Sequence, residues 1–253
     1  MVVHDPDSPN FDKEKSIGFL VHEVARLFRR RFEDEARTHN VTLPQWRALI
    51  EIHKNEGISQ VSLAGCIDSV VSQVEASFAV DVTLVGHSWG GYVIAGAAPR
   101  LASRLKALVF WSAFVPQSGV PLYDEIPPSY QELFSSLAGS SEDNTVAMPL
   151  EVFQGAFMGD ADPAAAAAVH SVLRPQPFRT FTDPPADEAY QSLGIPLHYV
   201  LSSEDVALPP GEFGWDRFAE RIKVSPVRVP GSHESMFTRP AELAGALAQT
   251  ATG

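Results

Sequence analysis

The sequence predicts an α/β protein: a parallel sheet under a helical insertion, preceded by an all-helical segment. Three observations carry this reading. Short apolar, β-branched runs at Val82–Val85, Ala107–Ser112, Pro196–Ser202 and Pro226–Val229 are separated by helical patterns, the alternation that builds parallel β–α units. Between Val115 and Ile195 no strong strand signal occurs, only helix-like stretches and a proline-rich return through Pro184-Pro185. The first 67 residues show helical periodicity alone.

Composition sets outer bounds. The chain has 253 residues, 45% hydrophobic and 20% charged, as in a globular protein. No apolar run approaches the ~20 residues of a membrane helix, and Met1–Asn10 carries no basic leader region. Cys66 is the sole cysteine, so no internal disulfide forms and a cytoplasmic location is expected. The net charge of −12 disfavours nucleic acid as a partner. That charge is unevenly spread: residues 1–67 hold nine Lys and Arg against ten Asp and Glu, whereas residues 68–253 hold ten against 21. Two segments, 1–67 and 68–253, are therefore expected.

In the first segment, Ile17, Leu20, Val21, Val24, Leu27, Phe28 and Phe32 recur at helical spacing, predicting one long helix over about 13–38. Arg29–Arg31 lie on it, neutralised by Glu33, Asp34 and Glu35, as on a solvated face. Thr42-Leu-Pro-Gln45 reads as the start of a second helix carrying Trp46, Leu49 and Ile50, and Ser59 as the cap of a short third. Asp68 reads as the cap of a fourth, running through Val70, Val71, Val74 and Phe78.

The strand at Val82 then leads into Gly86-His87-Ser88-Trp89-Gly90, a G-x-S-x-G pattern, followed by a helix expected to stop at Pro99. A strand turning sharply into a helix leaves no room for side chains beside the serine and holds Ser88 exposed at the helix start. The same helix start aims backbone N–H groups, Trp89 first, where an oxyanion would form, with His87 beside the nucleophile in the oxyanion and substrate-binding region. The insertion at about 115–195 should cover this point as a cap. Helical stretches are expected near 129–137, 149–158 and 162–173, with Phe153, Phe157, Met158, Leu173 and Phe178 as candidate pocket linings.

A serine hydroxyl needs a base, and the base an orienting carboxylate. Ser202-Ser-Glu-Asp-Val206 follows the third strand and Gly231-Ser-His-Glu234 the fourth, both at strand C-termini, where ligands collect in open parallel sheets. Ser88 as nucleophile, His233 as base and Asp205 as acid, with Glu204 the competing carboxylate, form the candidate triad. No metal or organic cofactor is implied.

Two resemblances follow from these residues. Val85-Gly-His-Ser-Trp-Gly-Gly91, Ala113-Phe-Val-Pro-Gln-Ser-Gly119, Ser203-Glu-Asp205 with Leu208-Pro209, and Pro230–Pro240 make residues 68–253 resemble an α/β-hydrolase, in the branch of hydroxynitrile lyases and methyl-ester esterases. The resemblance implies an α/β-hydrolase sheet with its cap, the Ser88–His233–Asp205 triad, and a carboxylic ester as substrate. Hydroxynitrile lyases carry a lysine after the histidine where this chain has Glu234, so ester cleavage is expected over cyanohydrin cleavage. Phe19–Leu27, Leu43–Leu49 and Asn55–Ala64 resemble the beginning of the MarR family of winged-helix regulators. The recognition helix and basic wing that would touch DNA do not follow, so a MarR-type DNA-binding regulator is the alternative to a hydrolase, beside a catalytically inert interaction protein.

One departure bears on rate. The hydrolase family places a His-Gly loop ahead of the elbow to supply a second oxyanion N–H, and no His-Gly pair occurs in this chain. Loss of one such donor costs ~10²–10³ in rate, which leaves three outcomes: a slow enzyme, a hole rebuilt from another backbone segment, or an inactive site. The sheet is also expected to lack its first strands, leaving the Val82 strand as an apolar edge; the N-terminal helices and a second subunit would cover it, predicting a homodimer.

Overall fold

The computed structural model describes residues 63–185 and 189–252. The helices expected over 13–38 and 42–55, and most of the MarR-like segment, lie outside the described residues. Helix α1 (Leu63–Ser77) runs unbroken through the point where the charge balance changes. Asp68 is therefore not a cap but a mid-helix residue, its carboxylate bonded to Arg100. What holds the helix continuous is its apolar stripe: Leu63 and Val71 are buried, and Ile67 and Val70 pack beside them. The described residues fall within one compact unit, so α1 belongs with the sheet.

Four strands make that sheet: β1 (Val82–Ser88), β2 (Leu105–Ala113), then, beyond the insertion, a third (Leu197–Ser202) and a fourth (Val227–Val229), all parallel and in spatial order of sequence. Each predicted run became a strand. Strand β2 is the buried centre, with Ala107–Ala113 solvent-free, as a parallel strand covered on both faces should be. Strand β1 is paired on one side only among the described residues.

Helix α2 (Gly90–Leu101) does not stop at Pro99. Proline removes one N–H and one helical bond near the end, but Ala97, Ala98 and Leu101 are buried, and Ala97 and Leu101 pack against Val71 of α1. Burial of the last turn outweighs the lost bond.

The insertion folds as predicted in outline. Helix α3 spans Pro128–Ser140; a short helix α4 (Leu150–Val152) continues as a π-turn through Phe157; α5 (Pro163–His170) is capped by Asp162, whose carboxylate accepts the Ala164 N–H at 2.8 Å. Between them lies an unexpected antiparallel ribbon, β3 (Thr145–Val146) on β4 (Gln176–Pro177), too short to leave a pattern in sequence. Following the order of the chain, the third and fourth sheet strands are β5 and β6. Helices α6 (Arg179–Thr182), α7 (Ala189–Ser192), α8 (Asp216–Arg221), α9 (Ser235–Thr238) and α10 (Pro240–Thr252) complete the described α-helices, and short 3-10 turns span Ala102–Arg104 and Leu122–Glu125. An ion-pair cluster ties the insertion to α8: the buried Glu125 takes Arg217 at 2.9 Å and Arg221 at 2.8 Å. None of the described helices is long and apolar enough to cross a membrane.

Candidate active site

Strand β1 ends on Ser88 with φ +52°, a left-handed backbone that a non-glycine residue adopts only when its surroundings impose it. The imposing contacts are close. A Cβ at Gly86 would lie 2.7 Å from the Gly90 carbonyl oxygen, and one at Gly91 only 1.9 Å from that of Phe114. Gly90, the second glycine of the pattern, has open space around it. Its neighbour Gly91 carries the steric requirement instead, because α2 starts directly against the end of β2.

The strained turn presents Ser88 to a cavity of about 90 Å³ with a mainly apolar wall. Trp89, Phe114, Tyr130, Phe157, Trp215 and His233 share that wall. Helix α2 opens at Trp89, whose indole N–H donates to the Thr180 carbonyl of the cap at 2.8 Å.

Across the cavity, the loops after β5 and β6 meet. His233 Nδ1 lies 2.7 Å from Asp205 Oδ2, with side chains 1% and 0% exposed. Asp205 Oδ1 also accepts the Ala207 N–H at 3.0 Å. Glu204 does not compete: its carboxylate accepts the Gly231 N–H at 3.1 Å and ties the two loops together. Asp160 anchors the same loop from the cap by accepting the Ser232 and Thr238 hydroxyls. Beneath, Ser202 bonds both Trp111 and Ser235. Burial alone would lower the imidazole's affinity for a proton, but the Asp205 charge and hydrogen bond outweigh it, and His233 sits above the ordinary histidine pKa.

His87 does not line the catalytic cavity. Successive strand residues face opposite sides, so with Ser88 directed to the cavity, His87 turns behind it. Its ring stacks on its cross-strand partner Trp111 at 4.1 Å, and Nε2 lies 3.0 Å from the His233 carbonyl. Enclosure, then the neighbouring His233 charge, hold its pKa well below the usual value. The expected substrate-binding role is thus replaced by support of the His233 backbone. On its other side His233 stacks on Trp215 at 5.2 Å and 17°, giving a row of rings Trp111–His87–His233–Trp215 whose central pair is tilted by 42°. Phe157 meets the imidazole edge-on at 5.3 Å.

Of the predicted linings, Phe157 reaches the catalytic cavity, while Phe153 and Leu173 line a second one. Met158 packs with Phe153 and Ala166 in a local core, and Phe178 meets Tyr123 edge-on against the main core. Trp215 was not foreseen. It sits in an irregular loop, and no sequence period marks a loop residue that folds back over a ring.

The profile of the alpha/beta hydrolase family matches residues 14–246. The chain belongs to this family. The match takes in most of the segment that resembles MarR regulators, so hydrolase similarity extends ahead of residue 68. The chain is 30% identical to an alpha-hydroxynitrile lyase of Arabidopsis thaliana over 68% of its own length and 70% of that protein's. It is 45% identical to a carbendazim-hydrolysing esterase of a Nocardioides species over 67 residues, 28% of that relative's length. Among solved structures, an extracellular alpha/beta-hydrolase from a Paenibacillus species superposes with TM-score 0.73 at 27% identity, over 77% of this chain and 81% of that one. A pyrethroid hydrolase from Sphingobium faniae shares the fold at TM-score 0.63 and 23% identity, over 78% and 80%. This member of the alpha/beta hydrolase family thus has relatives named for an esterase and for a lyase.

Proposed function

We propose that the protein is a serine hydrolase of carboxylic esters, with Ser88 as nucleophile, His233 as base and Asp205 as the orienting acid. The observation that carries this reading is the buried Asp205–His233 hydrogen bond of 2.7 Å on a cavity whose wall includes Ser88. Ser88 Oγ attacks the ester carbonyl carbon as its proton passes to His233 Nε2, leaving a tetrahedral oxyanion before the Trp89 N–H. The C–O bond to the alcohol breaks, and the alkoxide takes the proton from the imidazolium. Water then attacks the acyl-serine, again losing a proton to His233, and the acid leaves as Ser88 regains its hydrogen. Asp205 orients the imidazole and supports the imidazolium throughout.

The test is covalent labelling by a serine-directed fluorophosphonate. The wild type should be labelled and Ser88→Ala should not; equal labelling of both, or of neither, would remove the reading. Self-association is proposed as well, since β1 is open on one side among the described residues and Val85 is exposed on it. Light scattering at micromolar concentration should give twice the chain mass, and a stable monomer would refute this.

A further inference from the structure

An oxyanion formed at Ser88 meets the Trp89 N–H, but the chain has no His-Gly loop to bring a second donor. A second donor must then come from the cavity wall. Besides Ser88, the polar side chains on that wall are Trp89, Tyr130, Gln176, Trp215 and His233. Most are engaged elsewhere. The Trp89 indole N–H donates to the Thr180 carbonyl at 2.8 Å, the Gln176 amide donates to the Thr180 hydroxyl at 2.7 Å, and His233 Nδ1 is held by Asp205. Trp215 Nε1 has no partner among the described residues, but it is sealed from water and so meets packed atoms rather than cavity space. Tyr130 is different. Its hydroxyl is not sealed in this way, and among the described residues no hydrogen bond engages it.

The cap fixes where that hydroxyl lies. Tyr130 sits in the first turn of α3, its backbone N–H closed on the Pro127 carbonyl at 2.9 Å. Its ring stacks on Phe134, one turn further on, at 5.6 Å and 16°. Burial, then the Asp205 charge, raise the phenol's pKa, so the hydroxyl end lies in the field of the triad acid and keeps its proton. A half-buried hydroxyl without a partner costs folding free energy, whereas a donor fixed in advance stabilises charge that develops beside it.

We propose that the Tyr130 hydroxyl is the second oxyanion donor, completing from the cap the hole that the Trp89 N–H begins. A cavity of about 90 Å³ is small enough for a group on one wall to reach an acyl group held at the other. As Ser88 Oγ bonds to the carbonyl carbon, the π pair moves onto oxygen, which accepts from Trp89 N–H and Tyr130 O–H. On collapse the pair returns, the C–O bond to the alcohol breaks, and the proton comes from His233; Tyr130 gives up none. This role rests on the hydrolase reading.

Tyr130→Phe removes one oxygen and no hydrogen bond within the described protein. With methyl butanoate, kcat should fall about 10²-fold while KM stays within twofold. The melting temperature should not fall, since no native bond is lost. A rate loss matched by a lower melting temperature would assign the residue to packing and overturn the proposal, as would an unchanged kcat. Calorimetry with methyl butylphosphonate, a stable tetrahedral anion, needs no turnover. Its affinity should drop at least tenfold from Ser88→Ala to Ser88→Ala/Tyr130→Phe, and equal affinities would also overturn the proposal. If the wild type neither hydrolyses the ester nor takes the fluorophosphonate, yet the anion binds at least tenfold more weakly without the hydroxyl, the donor stands and the hydrolase reading alone falls.

Discussion

His87 and His233 sit side by side with ring centroids 4.5 Å apart, both enclosed by aromatic neighbours, yet their pKa values move in opposite directions. Enclosure pushes both down. Only His233 is hydrogen-bonded to a carboxylate, and the Asp205 charge and that bond, with a smaller push from Glu234, reverse the outcome. The pair shows that burial does not make a histidine a base. A buried partner charge does, at a cost met by the hydrogen bonds that hold Asp205 in place.

Removing the charge should make His233 resemble His87. Asp205→Asn keeps the shape but loses the attraction and fixes the wrong tautomer; kcat against a methyl ester should fall about 10⁴-fold. A loss under tenfold in steady-state kinetics would mean that Asp205 does not serve the base. A smaller effect is expected from the other ring. His87→Phe retains a stack on Trp111 but removes the contact with the His233 carbonyl, so kcat/KM should drop about fivefold to tenfold, the worth of one hydrogen bond. An unchanged rate would assign His87 to packing alone.

The pH dependence sharpens the contrast further. Because the base acts neutral, kcat/KM should fall as pH drops through the raised His233 pKa, placing the acid limb above the ordinary ~6.5. An acid limb at or below that value would contradict the Asp205 contact. Stability responds with both signs. The His233 contribution is fully present below ~6.5 and is lost as pH rises through its raised folded pKa. The His87 contribution is present above ~6.5 and is lost as pH falls toward its lowered one. Melting temperature should therefore show a shallow maximum near neutrality, and His87→Phe should flatten the acid side only.

Local pattern exposed much of this in the sequence. The four strands, the order Ser88–Asp205–His233 and the helical insertion follow from β-branched runs, glycines and strand-end positions, features that depend on neighbours in the chain. What escaped depends on neighbours in space. Asp68 has a cap's chemistry but meets Arg100 from mid-helix; Pro99 has a terminator's chemistry but is held in α2 by burial. Gly90 fits the motif while Gly91 bears the contact with Phe114. His87 was read by adjacency to Ser88, although strand alternation turns its ring to Trp111. Asp205 and Glu204 are adjacent in sequence, and it is the meeting of two loops that gives His233 to the first and the Gly231 N–H to the second.

The row of rings has an optical consequence. An excited indole is quenched by an adjacent imidazolium far more than by neutral imidazole, because only the cation accepts an electron readily. Trp111 and Trp215 bracket the two histidines, so each imidazole that gains a proton dims the indole against it. Against the background of Trp46 and Trp89, the emission of Trp215 should follow the charge of the base and that of Trp111 the charge of its neighbour.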